Sequence, residues 1–405
     1  MSSIALFYSI FIEEKEIREQ LAAASGFSVV QDTEIINEVC QKHGISQDKV
    51  ERALYGATSV FNKFTLERER IVAFLKESMA EHLKNTGVIY SGSISLLVPA
   101  QVSHVLRVGL FDKTSSRIKR AMAEGLTEKN AIKLIKKNDA GAAGWAEFLY
   151  KKVANDPELY DIVVQAGVGN PTSIVQLIME NYHKPAILES ETSRQAVDDM
   201  ALGARVELAL VEKGYATEVK SSKGKITLLV NKSVYNFTKL ADSLTAIAND
   251  VSGVQSVEVA TGKDYHVSIY RSQEFSLPPK VLLVDDEQEF VQTLSDRLNT
   301  RNYGSYPVFD GEQALELLDS ELPDVMVLDL KMPGMSGVEV LRKTKEAYPG
   351  IEIIILTGHG SEEDKKICME LGAYAYIHKP VDITELTKII DEANGKVAAA
   401  KIAHI

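Results

Sequence analysis

Five side chains in the last third of the chain could together move a phosphoryl group: Asp285 and Asp286, Asp329, Thr357 and Lys379. Each closes a short apolar run. Lys280-Val-Leu-Leu-Val ends in the two carboxylates, Asp324-Val-Met-Val-Leu in Asp329, and Ile351-Glu-Ile-Ile-Ile-Leu in the hydroxyl of Thr357. Tyr374-Ala-Tyr-Ile-His then ends in the ammonium of Lys379, with Pro380 next. A carboxylate can act as nucleophile toward phosphorus and form an acyl phosphate. Neighbouring carboxylates repel one another, and a hard dication with oxygen ligands relieves that repulsion. A lysine beside them neutralises charge on phosphoryl oxygens. Isolated strand-end aspartates are ordinarily helix N-caps, but five groups at four strand ends have to coincide here.

The elements that position these groups follow from the runs themselves. In a parallel α/β sheet all strand C-termini lie on one edge, so the five side chains are expected in one cleft. Their order and spacing, with Lys331-Met-Pro-Gly-Met-Ser-Gly337 after Asp329, resemble the receiver domain of bacterial two-component response regulators over residues 280–396. The resemblance implies Asp329 as phosphoacceptor, with Asp285, Asp286, Asp329 and the Lys331 main-chain carbonyl around Mg²⁺. It implies Lys379 against the phosphoryl oxygen, Thr357 and Tyr376 as switch residues, and a Lys379–Pro380 peptide that is often cis in the family. Lys331 and His359 stand at positions that bear on phosphoryl lifetime. A histidine kinase or phosphotransfer protein is the implied donor.

At 405 residues the chain has room for about two to four domains. Its 45% hydrophobic content is that of a soluble globular protein, and no run reaches the roughly 18 apolar residues of a membrane span. Ile4–Ile12 is apolar, but no basic segment precedes it and no small-residue cleavage site follows, so it reads as a buried strand and the protein as cytoplasmic. Cys40 and Cys368 lack CxxC partners and read as buried, reduced thiols. The net charge of −12 is concentrated in residues 279–396, which carry 23 acidic and 12 basic side chains. The near-neutral remainder offers no bulk attraction to nucleic acid. No helix-turn-helix follows the receiver-like segment, so the output is expected upstream.

Residues 1–188 alternate strands and helices in the manner of a doubly wound parallel sheet. Expected strands are Ile4–Ile12, Ser28–Val30, Val88–Ser91, Val105–Leu110 and Asp161–Gln165, with helices at Glu14–Ala24, Ser115–Glu124 and Glu128–Lys137 among others. The segment resembles the cytidylate kinase-like branch of the P-loop nucleotide kinases. The matching features are Gln31-Asp32, Val105-Leu-Arg-Val108 with Arg117, Gly125–Ala131, Lys136–Asp139 and Asp156–Val163. It departs from that family where phosphate is bound. A phosphate-cradling loop needs glycines and a lysine, and Phe11-Ile-Glu-Glu14 stands there instead. Asp139-Ala-Gly-Ala142 replaces the family's lid arginine. The expectation is a pseudokinase-like binding surface, with a phosphorylation-controlled nucleotide kinase or a nucleotide sensor as alternatives. The basic stretch Arg117–Lys137 reads as a solvated helix face.

Residues 195–270 read as a helix (Asp198–Lys213), a hairpin (Ala216–Ser221 and Lys225–Asn231), a second helix (Val234–Val251) and a strand beginning at Gly253. That order resembles a BON domain, with Val230 where the family carries Gly. The resemblance implies an interaction or lipid-associating module, and with no basic or aromatic surface stripe in the sequence a protein-contact or dimer-forming role is expected. Residues 271–279, with two prolines, read as an extended linker. The expected protein is thus a multi-domain α/β response regulator: P-loop-kinase-like 1–188, BON-like α+β 195–270, linker 271–279 and a (βα)₅ receiver 280–396. Its expected output is a protein partner not identified by the sequence, together with self-association through the Tyr376 face or the BON-like unit.

Overall fold

Apolar runs alternating with capped helices set the element order in the computed structural model, which describes residues 2–56, 59–231, 237–262, 279–301, 303–319, 321–358 and 360–403. Chain contacts group the protein into two units: Met1–Thr58 with Glu67–Arg271, and Ser59–Leu66 with Ser272–Ile405.

The first unit begins with β1 (Ser3–Tyr8), α1 (Glu14–Ser25), β2 (Ser28–Gln31), α2 (Asp32–His43) and α3 (Gln47–Tyr55). The short α4 (Asn62–Thr65) groups with the second unit. There follow α5 (Glu67–His82), β3 (Val88–Ser91), β4 (Val105–Phe111), α6 (Thr114–Ala123), α7 (Glu128–Tyr150), β5 (Ile162–Gln165) and α8 (Pro171–Tyr182). The sheet is wholly parallel in the order β2-β3-β1-β4-β5. Central β1 is apolar on both faces because helices cover both sides. The expected strands are thus present, although β1 stops at Tyr8 rather than Ile12.

Two helices outrun their expected ends. α7 continues to Tyr150 because nothing in 138–150 breaks it: Asp139-Ala-Gly-Ala142 lies inside the helix. Gly141 is needed there, since a Cβ would stand 2.5 Å from the Tyr55 carbonyl oxygen. The second, α9 (Glu191–Glu212), starts at Glu191 rather than the expected Asp198, capped by the Ser190 hydroxyl, which accepts from the Ser193 amide. Its Val197 and Ala201 join the core of the first sheet, and its Leu202, Val206 and Leu210 join the next. One helix therefore serves two cores.

The smaller core lies under β6 (Glu218–Ser222), β7 (Lys225–Val230), α10 (Phe237–Asn249) and β8 (Ser256–Thr261). β6 and β7 form the antiparallel hairpin, and β8 pairs parallel to β7. Val230 is buried in that core. The expected helix start at Val234 lies outside the described residues, as does all of the expected linker 271–279 except Pro279.

The second unit carries β9 (Lys280–Val284), α11 (Gln288–Asn299), β10 (Gly304–Val308), α12 (Gly311–Leu318), β11 (Val325–Leu328) and α13 (Gly337–Ala347). It ends with β12 (Glu352–Thr357), α14 (Glu362–Glu370), β13 (Ala375–His378) and α15 (Ile383–Ala403). Its sheet is also parallel, in the order β10-β9-β11-β12-β13, with an apolar cluster on each face. No helix among the described residues is long and apolar enough to cross a membrane. Cys368 is buried and its thiol is pushed up to about 11 by that burial, whereas Cys40 is only half-buried, contrary to expectation.

Candidate functional site

Strand register brings the acidic groups of the second unit together. Val284 of β9 and Leu328 of β11 are paired, so Asp285 and Asp329, one residue on, leave the sheet side by side. Both are buried, at 4% and 6% exposure, while Asp286 sits toward the open side. Carboxylate oxygens of all three lie within 4.8 Å of one another. Lys379 reaches in from beyond β13. Its ammonium stands 2.7 Å from Asp285 Oδ2, 2.8 Å from Glu287 Oε1 and 3.9 Å from Asp329 Oδ1. Its other side lies 4.4 Å from the centre of the Phe290 ring. The Lys331 amide donates to Asp329 Oδ2 at 3.0 Å, and the Glu287 amide donates to Asp285 Oδ1 at 2.9 Å.

Charge in this pocket is incompletely balanced. Burial raises the Asp285 carboxyl above its ordinary pKa, with Asp329 adding to the rise and Lys379 opposing it. Burial alone would lower the Lys379 pKa, yet its bonds to Asp285 and Glu287 leave it raised. One ammonium thus faces three carboxylates, and Asp286 stands close to two of them. The Lys379–Pro380 peptide is cis. Gly337 is needed at the start of α13, because a Cβ would collide with the Asp329 carbonyl oxygen.

Thr357 ends β12 and is fully buried. The Tyr376 hydroxyl is also buried, with no hydrogen-bond partner among the described residues. It lies where a Cβ on Gly360 would be, and that Cβ would also stand 3.0 Å from Thr357 Cγ2. Burial is the main reason the Tyr376 phenol is held above its ordinary pKa. His359 lies outside the described residues.

The corresponding edge of the first sheet is built differently. The loop between β1 and α1 has two non-glycine residues in the left-handed region, Phe11 at φ 61° and Glu13 at φ 62°. Its Ile12 amide donates to the Glu14 carboxylate at 3.2 Å, so a side chain of the same loop takes an amide that an anion would need. Two loop carbonyls accept from arginines of α6: Ile10 from Arg117 Nε at 2.9 Å and Phe11 from Arg120 Nη1 at 3.1 Å. Arg117 also grips Asp139 in two bonds of 2.9 and 2.8 Å, and Arg120 meets the buried Asp112 at 2.8 Å. Next door, the Asp32 carboxylate accepts from the Ser93 and Ile94 amides and the Tyr55 hydroxyl. Burial raises its pKa against those bonds.

Comparison with known proteins bears on both edges. The model of the response regulator receiver domain matches residues 281–391, and that of the cytidylate kinase-like family matches residues 13–167. The C-terminal domain is a receiver domain. Among solved structures, a CheY-like response regulator receiver domain protein from Methanospirillum hungatei JF-1 is 28% identical, over 30% of this chain and 98% of that one, with a TM-score of 0.30. A receiver domain protein from Clostridium thermocellum is 30% identical over 30% and 98% of the two chains, with a TM-score of 0.29. The receiver domain of NtrX from Brucella abortus is 26% identical over 28% and 98%, with a TM-score of 0.28.

The receiver domain thus gathers Asp285, Asp286, Asp329, Lys331 and Lys379 at one point, with Thr357 and Tyr376 adjoining one another. Glu287 and Phe290 were not expected, although both follow the Asp-Asp pair within one helical turn. In the kinase-like domain the solvated-face reading of Arg117–Lys137 holds for the exposed Lys119, Lys129, Lys133, Lys136 and Lys137. It fails for Arg117, whose side chain is 3% exposed, and for Arg120, which is paired with Asp112. No sequence spacing marked these two as loop anchors, because their partners are main-chain carbonyls about 110 residues earlier.

Proposed function

We propose that the protein is a two-component response regulator phosphorylated on Asp329, whose upstream domains act by binding a protein partner rather than DNA. The carrying observation is the buried Asp285–Asp329 pair with Asp286 and Lys379 around it. The clustered oxygens and the raised Asp285 pKa suit a hard divalent cation. Asp285, Asp286, Asp329 and the Lys331 carbonyl would hold Mg²⁺, which supplies positive charge against phosphoryl oxygens.

The chain's own groups account for the rest. A carboxylate oxygen of Asp329 attacks the phosphorus of a phosphohistidine on the kinase or phosphotransfer partner. The P–N bond breaks, the imidazole leaves with a proton, and an acyl phosphate remains on Asp329. Lys379 moves its charge from Asp285 toward the new dianion. Thr357, at the adjacent strand end, turns its hydroxyl to the phosphoryl group, and the change in its position alters the packing of Tyr376 against Gly360. A bias of about 1–3 kcal/mol between two arrangements is enough for graded signalling.

The N-terminal domain serves this scheme as a pseudokinase-like surface. Glu14, Phe11 and the two arginine–aspartate pairs leave no open amide cradle and no lysine for a triphosphate. The helix–hairpin–helix–strand order of α9 to β8 supports a BON-like contact module, and a homodimer would form through that module or the Tyr376 face.

Incubation with Mg²⁺ and a small phosphodonor tests the central claim. One acid-labile phosphoryl group per chain should map to Asp329 by peptide mass spectrometry. A group on any other residue sinks it. Turnover of CMP to CDP by the purified protein would instead restore the kinase reading, and a monomer by light scattering in both phosphorylation states would remove the dimer.

A further inference from the structure

The unit that contains the receiver also contains a piece of chain from far upstream. Ser59–Leu66 lies between α3 and α5 in sequence but groups with residues 272–405. It meets β10, the edge strand of the receiver sheet, where unpaired backbone would otherwise be open to another chain. Phe61 is fully buried and stands edge-on to Tyr306 of β10, ring centres 6.2 Å apart. The Lys280 ammonium lies 5.9 Å from the centre of the same ring. The Ser59 hydroxyl donates to Glu321 at 2.8 Å and accepts from the Phe61 amide at 3.1 Å, which fixes the turn that aims the phenyl ring. Phe64 lies against Gly304, where a Cβ would stand 2.8 Å from the ring. Gly304 is paired with Lys280 in the sheet, so the contacts form one continuous patch.

An aromatic anchor, a second ring against a glycine and a specific hydroxyl–carboxylate bond are the parts of a recognition site rather than of an incidental loop. We propose that Lys280, Gly304, Tyr306 and Glu321 form a docking surface whose occupant is the chain's own Ser59–Leu66. This contact holds the receiver to the N-terminal half even when the backbone between residues 262 and 279 is cut. The segment runs directly into α5 at Glu67, which limits the entropy lost on docking, so a small surface suffices. It also closes the β10 edge to strand addition by other proteins.

The test is to place a protease recognition sequence within residues 271–279 of the full chain, cut it, and follow the two pieces by size-exclusion chromatography with light scattering. The parent pieces should co-elute as a one-to-one complex. Phe61→Ala should weaken the association about 100-fold, so the pieces separate at micromolar concentration. Since that variant could unfold the N-terminal piece, Gly304→Val supplies the test from the receiver side. Gly304 lies at the end of β10 away from Asp329, so Gly304→Val should still take one phosphoryl group while its pieces separate. Separation of the parent pieces on cutting overturns the proposal. So does an unchanged association in either variant, or a parent complex with the mass of two copies, in which the segment would come from a second chain.

Discussion

Two five-stranded parallel sheets in this protein use their carboxyl edges in opposite ways. At the receiver edge, carboxylates outnumber the single lysine and remain close enough to share a cation. At the kinase-like edge, Arg117 and Arg120 each already have a carboxylate and a loop carbonyl. A surplus of carboxylates keeps the first edge ready for a cation. At the second edge the charges of Arg117 and Arg120 are already neutralised within the chain. The same architecture therefore supports a reactive site or a structural one, depending on whether charges are balanced within the chain.

The largest effect that could break the comparison is at the nucleophile. Asp329→Asn should lose all acid-labile phosphorylation, read by mass spectrometry or labelled phosphodonor, because an amide is not a usable nucleophile. Full stoichiometry in the variant would remove the receiver edge from its role. Arg117→Ala comes next. It strips a buried cation from the half-exposed Asp139 and from the Ile10 carbonyl, and should destabilise the first unit by about 2 kcal/mol in denaturant melts. Phosphorylation of Asp329 should persist in that variant.

Asp285→Asn sharpens the contrast through pH. Burial raises the Asp285 pKa in the folded protein, so ionising it costs more in the site than in the unfolded chain. Its contribution to stability is present at low pH and lost as pH rises through the folded pKa. The variant should therefore melt higher than the parent at neutral pH without metal, by about 1 kcal/mol of stability. That gain should shrink as pH falls to where the parent carboxyl is protonated. Added Mg²⁺ should raise the parent's Tm more than the variant's. A variant that melts lower in chelator would mean the site is not charge-strained. The smallest effect is Glu13→Gly, at an exposed position with φ 62°. Relief of the left-handed conformation should stabilise by about 0.5 kcal/mol, with nucleotide affinity still undetectable by calorimetry.

The receiver was legible because its acidic, hydroxyl and lysine side chains sit at the ends of short apolar runs, where one periodicity gives both the strand and the place of the side chain that follows it. Asp285, Asp329, Thr357 and Lys379 could be placed on one edge from order alone. The kinase-like edge was legible only as a set of absences: no glycines, no lysine, no lid arginine. What replaced them could not be read, since Arg117 and Arg120 find main-chain oxygens whose positions depend on how the loop after β1 turns. The expected helix end at Lys137 failed for a related reason. Gly141 lies inside the longer helix, buried where the Tyr55 carbonyl leaves no room for a Cβ.

By itself the sequence determined the α/β class, the strand order along the chain and which carboxylates could react, since hydrophobic period and residue type are local properties. Only the tertiary structure decided how charges were paired at each edge, that α9 serves two cores, and that Ser59–Leu66 belongs with the receiver. Those outcomes depend on contacts between residues tens to hundreds of positions apart, which no local pattern encodes.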